Sequence, residues 1–159
     1  MKYPKMIILL GLLLCVISAC HSRKHDLSFE SIAQGDFINY REEKSAVFVI
    51  VNDDGIDALV PNMLAEDPAL IHQLRQLDYD QFFAILVLQG RKGQGGYSVA
   101  VQQVYRQGDQ VNVEVEFTEP APNTRRTQAF TSPYHFIAVS KQGEWGRQVR
   151  ESKSSLPNQ

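Results

Sequence analysis

Residues 82–88, FFAILVL, carry no polar side chain. Successive side chains of a β-strand point to opposite faces, so a strand made from this run must be covered on both. Seven residues suit a central strand and are short for a helix. Residues 47–51, VFVIV, make the same demand. One layer of helices covers only one face of a sheet, so a second body has to lie on the other. The C-terminal segment or a bound partner is the expected second cover.

Other elements follow from periodicity. Val111, Val113, Val115 and Phe117 alternate with Asn112, Glu114, Glu116 and Thr118, which predicts a strand with one wet face. Tyr97, Val99 and Val101 alternate with Ser98, Ala100 and Gln102, a second such strand. Gln107-Gly108-Asp109-Gln110 between them reads as a turn. A further strand is expected through Val139, opened by Ser132-Pro133-Tyr134, because proline is tolerated at a strand's first residue. Residues 143–151 add a short edge strand carrying Trp145. Asp67 as N-cap and Pro68 at the first helical position open a helix over 68–77, with Leu70, Ile71, Leu74 and Leu77 on one face. The expected class is α+β: an antiparallel sheet of about five strands with two helices inserted between the first two strands.

The N-terminus carries a different signal. Lys2 and Lys5 precede an uncharged apolar run over residues 6–17, then Ser18, Ala19 and Cys20. A basic start, an apolar middle and small residues form a secretory signal pattern, and the run is short of the roughly 20 residues of a membrane-spanning helix. Ile17-Ser18-Ala19-Cys20 resembles a bacterial lipobox, in which the cysteine thiol receives a diacylglyceryl group and becomes residue one of the mature chain. Cys15 competes poorly because bulky Leu13 and Leu14 precede it. The alternative is a plain secretory signal with an incidental cysteine. Residue 21 is His, which by resemblance to enterobacterial sorting favours the outer membrane in a two-membrane cell.

Removing residues 1–19 leaves 140 residues, with 14 basic and 18 acidic side chains and a net charge of −4. No basic stripe is present, which argues against nucleic acid. Cys20 is then the single cysteine, so no disulfide, thiolate metal site or thiol nucleophile remains.

Chemistry-bearing clusters have plain readings. Residues 52–57, NDDGID, lack the spacing and the twelfth-position Glu of a calcium loop, so Asn52 or Asp53 reads as a helix cap. Residues 90–96, GRKGQGG, match neither glycine-rich phosphate fingerprint and precede a strand, so they read as a hairpin or bulge. Glu114 and Glu116 share a solvated sheet face rather than a catalytic cleft. His21 and His25 fall in a polar tether, His72 lies off the apolar helical stripe, and His135 has no nucleophile or base beside it in sequence. Arg125-Arg126 occupy a polar, proline-bearing connection over 119–131. No cofactor or metal is implied.

From residue 90 to 139 the parts form a pattern: a basic glycine loop, Gly95-Gly96-Tyr97 opening a strand, an alternating strand, a proline-bearing loop, then Thr131-Ser132-Pro133-Tyr134. This resembles the PrcB-type domain, a family named for an accessory lipoprotein of a bacterial surface protease complex. The family usually has Thr where Gln94 stands, and a fuller glycine-proline loop where Pro120-Ala121-Pro122 stands. The resemblance implies a non-catalytic accessory or protein-binding domain of the cell envelope, with a protease as the partner suggested by the name-giving member. An envelope hydrolase and a small-ligand or metal carrier are the alternatives. Gly95, Gly96, Tyr97, Pro133 and Tyr134 are the candidate binding residues, although glycine backbone freedom and tyrosine packing are the readier explanations. The expected divisions are a lipoprotein signal peptide over 1–19, a lipidated tether over 20–39, a PrcB-like domain over 40–152 and a frayed tail over 153–159.

Overall fold

A computed structural model describes residues 24–122, 127–141 and 150–151. Four strands, β1 (Lys24–Leu27), β2 (Phe29–Gly35), β3 (Ala46–Ile50) and β4 (Phe82–Leu88), come before the glycine loop. After it come β5 (Ser98–Gln107), β6 (Gln110–Thr118), β7 (Tyr134–Ser140) and the two-residue β8 (Arg150–Glu151). They form two sheets, ordered β2-β7-β4-β3 and β1-β5-β6-β8. Pairing is antiparallel except where β8 runs parallel to β6. The segment from β3 to β4 holds α1 (Asp53–Leu59), a π-helical turn (Val60–Leu64) and α2 (Pro68–Arg75).

The apolar run of β4 is resolved by three layers. Phe83, Ile85 and Val87, with Ile137 and Val139 of β7, face the other sheet through Val99, Val101, Val104 and Val111. Ala84, Leu86 and Leu88, with Phe136, face the helices through Ile56, Leu59, Leu64, Leu70 and Leu74. The second cover is therefore the β1-β5-β6 sheet, and the expected single sheet is corrected to two. Five of the expected strands are present as β3 to β7; of the edge strand expected over 143–151, only Arg150 and Glu151 lie among the described residues, as β8. Folding the β5–β6 hairpin across β4 removes the face that one helix layer leaves wet.

Two further corrections follow. Residues 24–35, expected as tether, are the paired strands β1 and β2, so ordered structure begins at least sixteen residues before the expected start at 40. The helices consequently lie between the third and fourth strands, not the first two. The glycine segment is not a hairpin: β4 and β5 belong to different sheets, and the loop crosses from one to the other. The expected turn at Gly108, φ 62°, joins β5 and β6 as a hairpin.

Local grammar explains the helices. The Asn52 side chain accepts the Gly55 N–H at 3.1 Å, and Asp67 accepts the Leu70 N–H at 2.9 Å. Pro61 cannot donate to the α-helical ladder, and at that point α1 widens into the π turn. Leu70 and Leu74 are buried and His72 is exposed, as the stripe predicts.

The two sheets are also clasped by polar side chains. Gln34 donates to the Val99 carbonyl at 2.8 Å, Gln89 to the Thr118 carbonyl at 3.3 Å, and the Val101 N–H donates to His135 at 2.9 Å. Strand directions then define two ends. Lys24 enters opposite Gln107, whereas the residues after β2, those before β3, the β4–β5 loop and the β6–β7 connection meet at the other end.

Candidate functional site

The loop end is held by a compact set of backbone bonds. Lys92 and Thr131 exchange N–H···O bonds at 2.8 and 3.0 Å, Arg91 N–H donates to the Glu42 carbonyl at 2.8 Å, and Ser132 N–H donates to the Asp36 carbonyl at 2.9 Å. Gly95 N–H donates to the Thr127 carbonyl at 3.0 Å, and the Thr131 hydroxyl donates to the Gln94 carbonyl at 3.0 Å. Three segments distant in sequence are thereby locked together: 36–44, 89–97 and 127–133.

This arrangement gives the candidate residues their places. Gly96 has φ 93°, and a Cβ there would lie 2.8 Å from the Pro120 Cβ. Gly95 is buried beneath Thr127, where a Cβ would fall 2.3 Å from its hydroxyl. Pro133 is buried, and its carbonyl accepts the Gln89 N–H at 3.0 Å. Tyr134 is half-buried, edge-on to Phe136 at 6.1 Å, and close against Gly35. Burial pushes its hydroxyl pKa up, reinforced by Asp67 and Asp36. Tyr97 is half-buried with the Lys92 ammonium 5.4 Å from its ring centre. The structure thus brings these five to one end, chiefly as parts of the loop scaffold.

The exposed chemistry beside them lies on other residues. Phe37 and Phe130 are 56% and 62% exposed. They border a recess of about 360 Å³ whose wall also includes Tyr40, Arg41, Arg91 and Ser132. The Arg91 guanidinium lies 3.9 Å from the centre of the Phe130 ring. Ser132 is 1% exposed, and its hydroxyl oxygen has no hydrogen-bond partner among the described residues. Sequence reasoning missed this recess. Its one readable signal was the presence of lone aromatics inside polar loop segments, Phe37 in GDFIN and Phe130 in QAFTS.

His135 is the buried titratable group nearest to catalytic chemistry. Its Nε2 is 3.0 Å from the Ser31 hydroxyl, a spacing at which a histidine can activate a serine. The tautomer is wrong for that task. Because Val101 N–H donates to Nδ1, Nδ1 must be bare, and the ring proton sits on Nε2 facing Ser31. A ring nitrogen that already holds its proton cannot take one from the serine. The contact instead fills two irregular positions, since β5 shifts register between Val101 and Gln103 and β2 between Ser31 and Ala33.

Burial lowers the His135 pKa. The unfolded chain therefore binds a proton at higher pH than the folded one. This contribution to stability is full above the unfolded value near 6.5 and is lost as pH falls toward the folded value. His135→Gln, which can still accept from Val101, is expected to flatten the loss of urea-unfolding free energy below pH 6.5. An unchanged slope in the variant counts against the assignment.

Other candidates stay apart. Glu114 and Glu116 are exposed on β6, and Glu114 pairs with Lys24 at 3.1 Å. Among the described residues, no three His, Asp or Glu side chains gather around one possible metal position. Trp145, His21 and Arg125-Arg126 lie outside the described residues.

Residues 83–140 match the family model described as PrcB C-terminal. The segment running from β4 through β7 is thus similar to the PrcB C-terminal domain. No curated protein and no solved structure matches the chain. The matched span contributes Arg91, Phe130 and Ser132 to the recess, whereas Phe37, Tyr40 and Arg41 lie outside it.

Proposed function

We propose that this chain is a non-catalytic accessory lipoprotein of the cell envelope, held on a membrane by lipid at Cys20, that docks another envelope protein through its loop end. The carrying observation is the pair Phe37 and Phe130, large aromatics more than half exposed on a rigid loop cluster. Exposed apolar surface rimmed by charge is the common form of a protein contact site. The PrcB C-terminal match supports an accessory role associated with a protease complex. A protease as the direct partner is the finer part of the proposal.

Orientation adds support. Lys24 enters four residues after Cys20, at the end opposite the recess. From Gln107 to Ser98, β5 spans roughly 30 Å at about 3.3 Å per residue. An anchor at Cys20 therefore places the aromatic pair on the side away from the membrane. An outer-membrane location in a two-membrane cell is the matching proposal, since His rather than Asp follows Cys20.

The test is crosslinking in living cells followed by recovery of the chain. A stoichiometric partner is expected, and Phe37→Ser with Phe130→Ser should reduce its recovery about tenfold, the scale of losing an aromatic anchor. Both side chains are exposed, so the double variant should melt within ~3 °C of the natural chain. A clean monomer, or equal recovery by the variant, sinks the reading.

A further inference from the structure

We infer that the recess bordered by Phe37 and Phe130 captures a carboxylate carried on an apolar segment of the docked protein. The inference rests on the docking role proposed above and adds the chemistry of the contact.

The argument begins with charge. Arg41 and Arg91 both line the recess, and among the described residues neither has a carboxylate partner. Acidic residues adjoin it: burial first, and then the Glu42 charge, raises the Tyr40 pKa. The Asp36 and Glu42 backbone carbonyls accept from Ser132 and Arg91, and neither carboxylate pairs with Arg41 or Arg91 among the described residues. Two arginines lining one recess supply forked donors of the kind suited to a carboxylate, and the Arg91 guanidinium is fixed there over Phe130.

Preorganisation comes next. Arg91 is not free to roam, because its guanidinium stacks on Phe130 and its backbone is fixed to Glu42. Stacking on a ring leaves the outer N–H groups of the fork available to an incoming oxygen. Ser132 stands in the wall with a buried hydroxyl that has no partner among the described residues, and its neighbours hold it in place through the Lys92–Thr131 and Gln89–Pro133 bonds. A buried hydroxyl without a partner is costly, and a ligand oxygen reached by turning its side chain removes that cost.

The walls set what carries the carboxylate. Phe37, Phe130 and Tyr40 offer aromatic surface, so the group enters on an apolar chain. A free C-terminus after an apolar residue, or an acidic side chain among apolar ones, has that form. A protein source is favoured over an anionic lipid because the recess lies at the end away from Lys24 and hence from the proposed anchor.

The test uses the mature chain with Cys20→Ser, so that no acyl group adds an apolar surface. The probes are acetyl-Phe-Ala-Phe with a free C-terminal carboxylate and the same peptide as its C-terminal amide. Backbone amide NMR shifts of Arg91, Thr131 and Ser132 are followed during titration. The acid is expected to saturate these shifts with a Kd of about 1 mM, a weak affinity suited to a fragment. The amide should bind about fivefold more weakly, as should the acid to Arg91→Gln, the scale of one solvent-screened ion pair. Equal binding of acid and amide overturns the inference, as does an unchanged affinity in Arg91→Gln. Phosphatidylglycerol vesicles that move the same amides while the acid peptide does not would overturn it in favour of a membrane contact.

Failure of the docking role is read separately. If the Phe37/Phe130 double variant keeps its crosslinked partner, docking at this end is wrong. If that variant loses the partner and Arg41→Gln with Arg91→Gln keeps it, docking stands and the carboxylate inference falls.

Discussion

Gly90→Ala is expected to lower the unfolding free energy by about 3 kcal/mol or more, placing it among the most damaging single-methyl additions available. Gly90 has φ 87°, a conformation costing an L-residue roughly 1–2 kcal/mol. The larger difficulty is space. A Cβ at this position would lie 2.2 Å from the Glu43 carbonyl oxygen and 2.7 Å from its carbon. Those are backbone atoms, so no side-chain rotation relieves the contact and the two segments must separate. Separation strains the Arg91–Glu42 bond and pulls on the neighbouring Lys92–Thr131 pairing. For a domain of this size the expected fall in Tm is on the order of 10 °C. Gly93→Ala is the matched control, because a Cβ there meets nothing within 4 Å. Urea denaturation of the two variants checks the prediction. Similar midpoints for both would mean that the loop end is not the rigid junction described above.

The contrast between Gly90 and Gly93 marks where the sequence stops being readable. Both sit in the same glycine-rich segment, and local turn grammar treats them alike. The approach of residues 43–44, brought in by the β3–β4 pairing, together with the positive φ at Gly90, separates them. The strand runs were legible because alternation and apolar length are local properties, and β4 occupies the residues its apolar run predicts. Their division between two sheets was not, since hairpin and cross-sheet loops use the same glycines. β1 and β2 escaped notice for a related reason. Lys24, His25 and Asp26 are exposed edge residues, and the β2 register shift between Ser31 and Ala33 breaks the period of two. The recess was hidden for the same physical reason. Phe37 and Phe130 lie on segments with no periodicity, and their common wall exists only once β2 and β7 are paired. The glycine and tyrosine signature was readable as a motif, yet it mostly supports the loops, while the exposed aromatics beside it fall outside the motif.

Cys20→Ser is expected to abolish acyl attachment completely. Intact mass measurement on the natural chain should show loss of residues 1–19 and added acyl mass on Cys20, and the variant should show no added mass. The physical weight of the proposed anchor lies in its chain number. One acyl chain holds a protein only marginally, whereas two or more hold it stably. The domain adds little of its own, since the chain from Cys20 onward has a net charge of −4 and the short helices α1 and α2 bury their apolar residues against the sheet. A version starting at residue 21 behind a plain secretory signal should therefore appear in the soluble fraction, with its fold intact because β1 begins at Lys24. The same version separates anchoring from recognition. With docking at the far end, it should still bind an isolated partner but lose its concentration at the membrane. Natural chain without acyl mass, or a residue-21 version that stays with the membrane, would show that the attachment lies elsewhere.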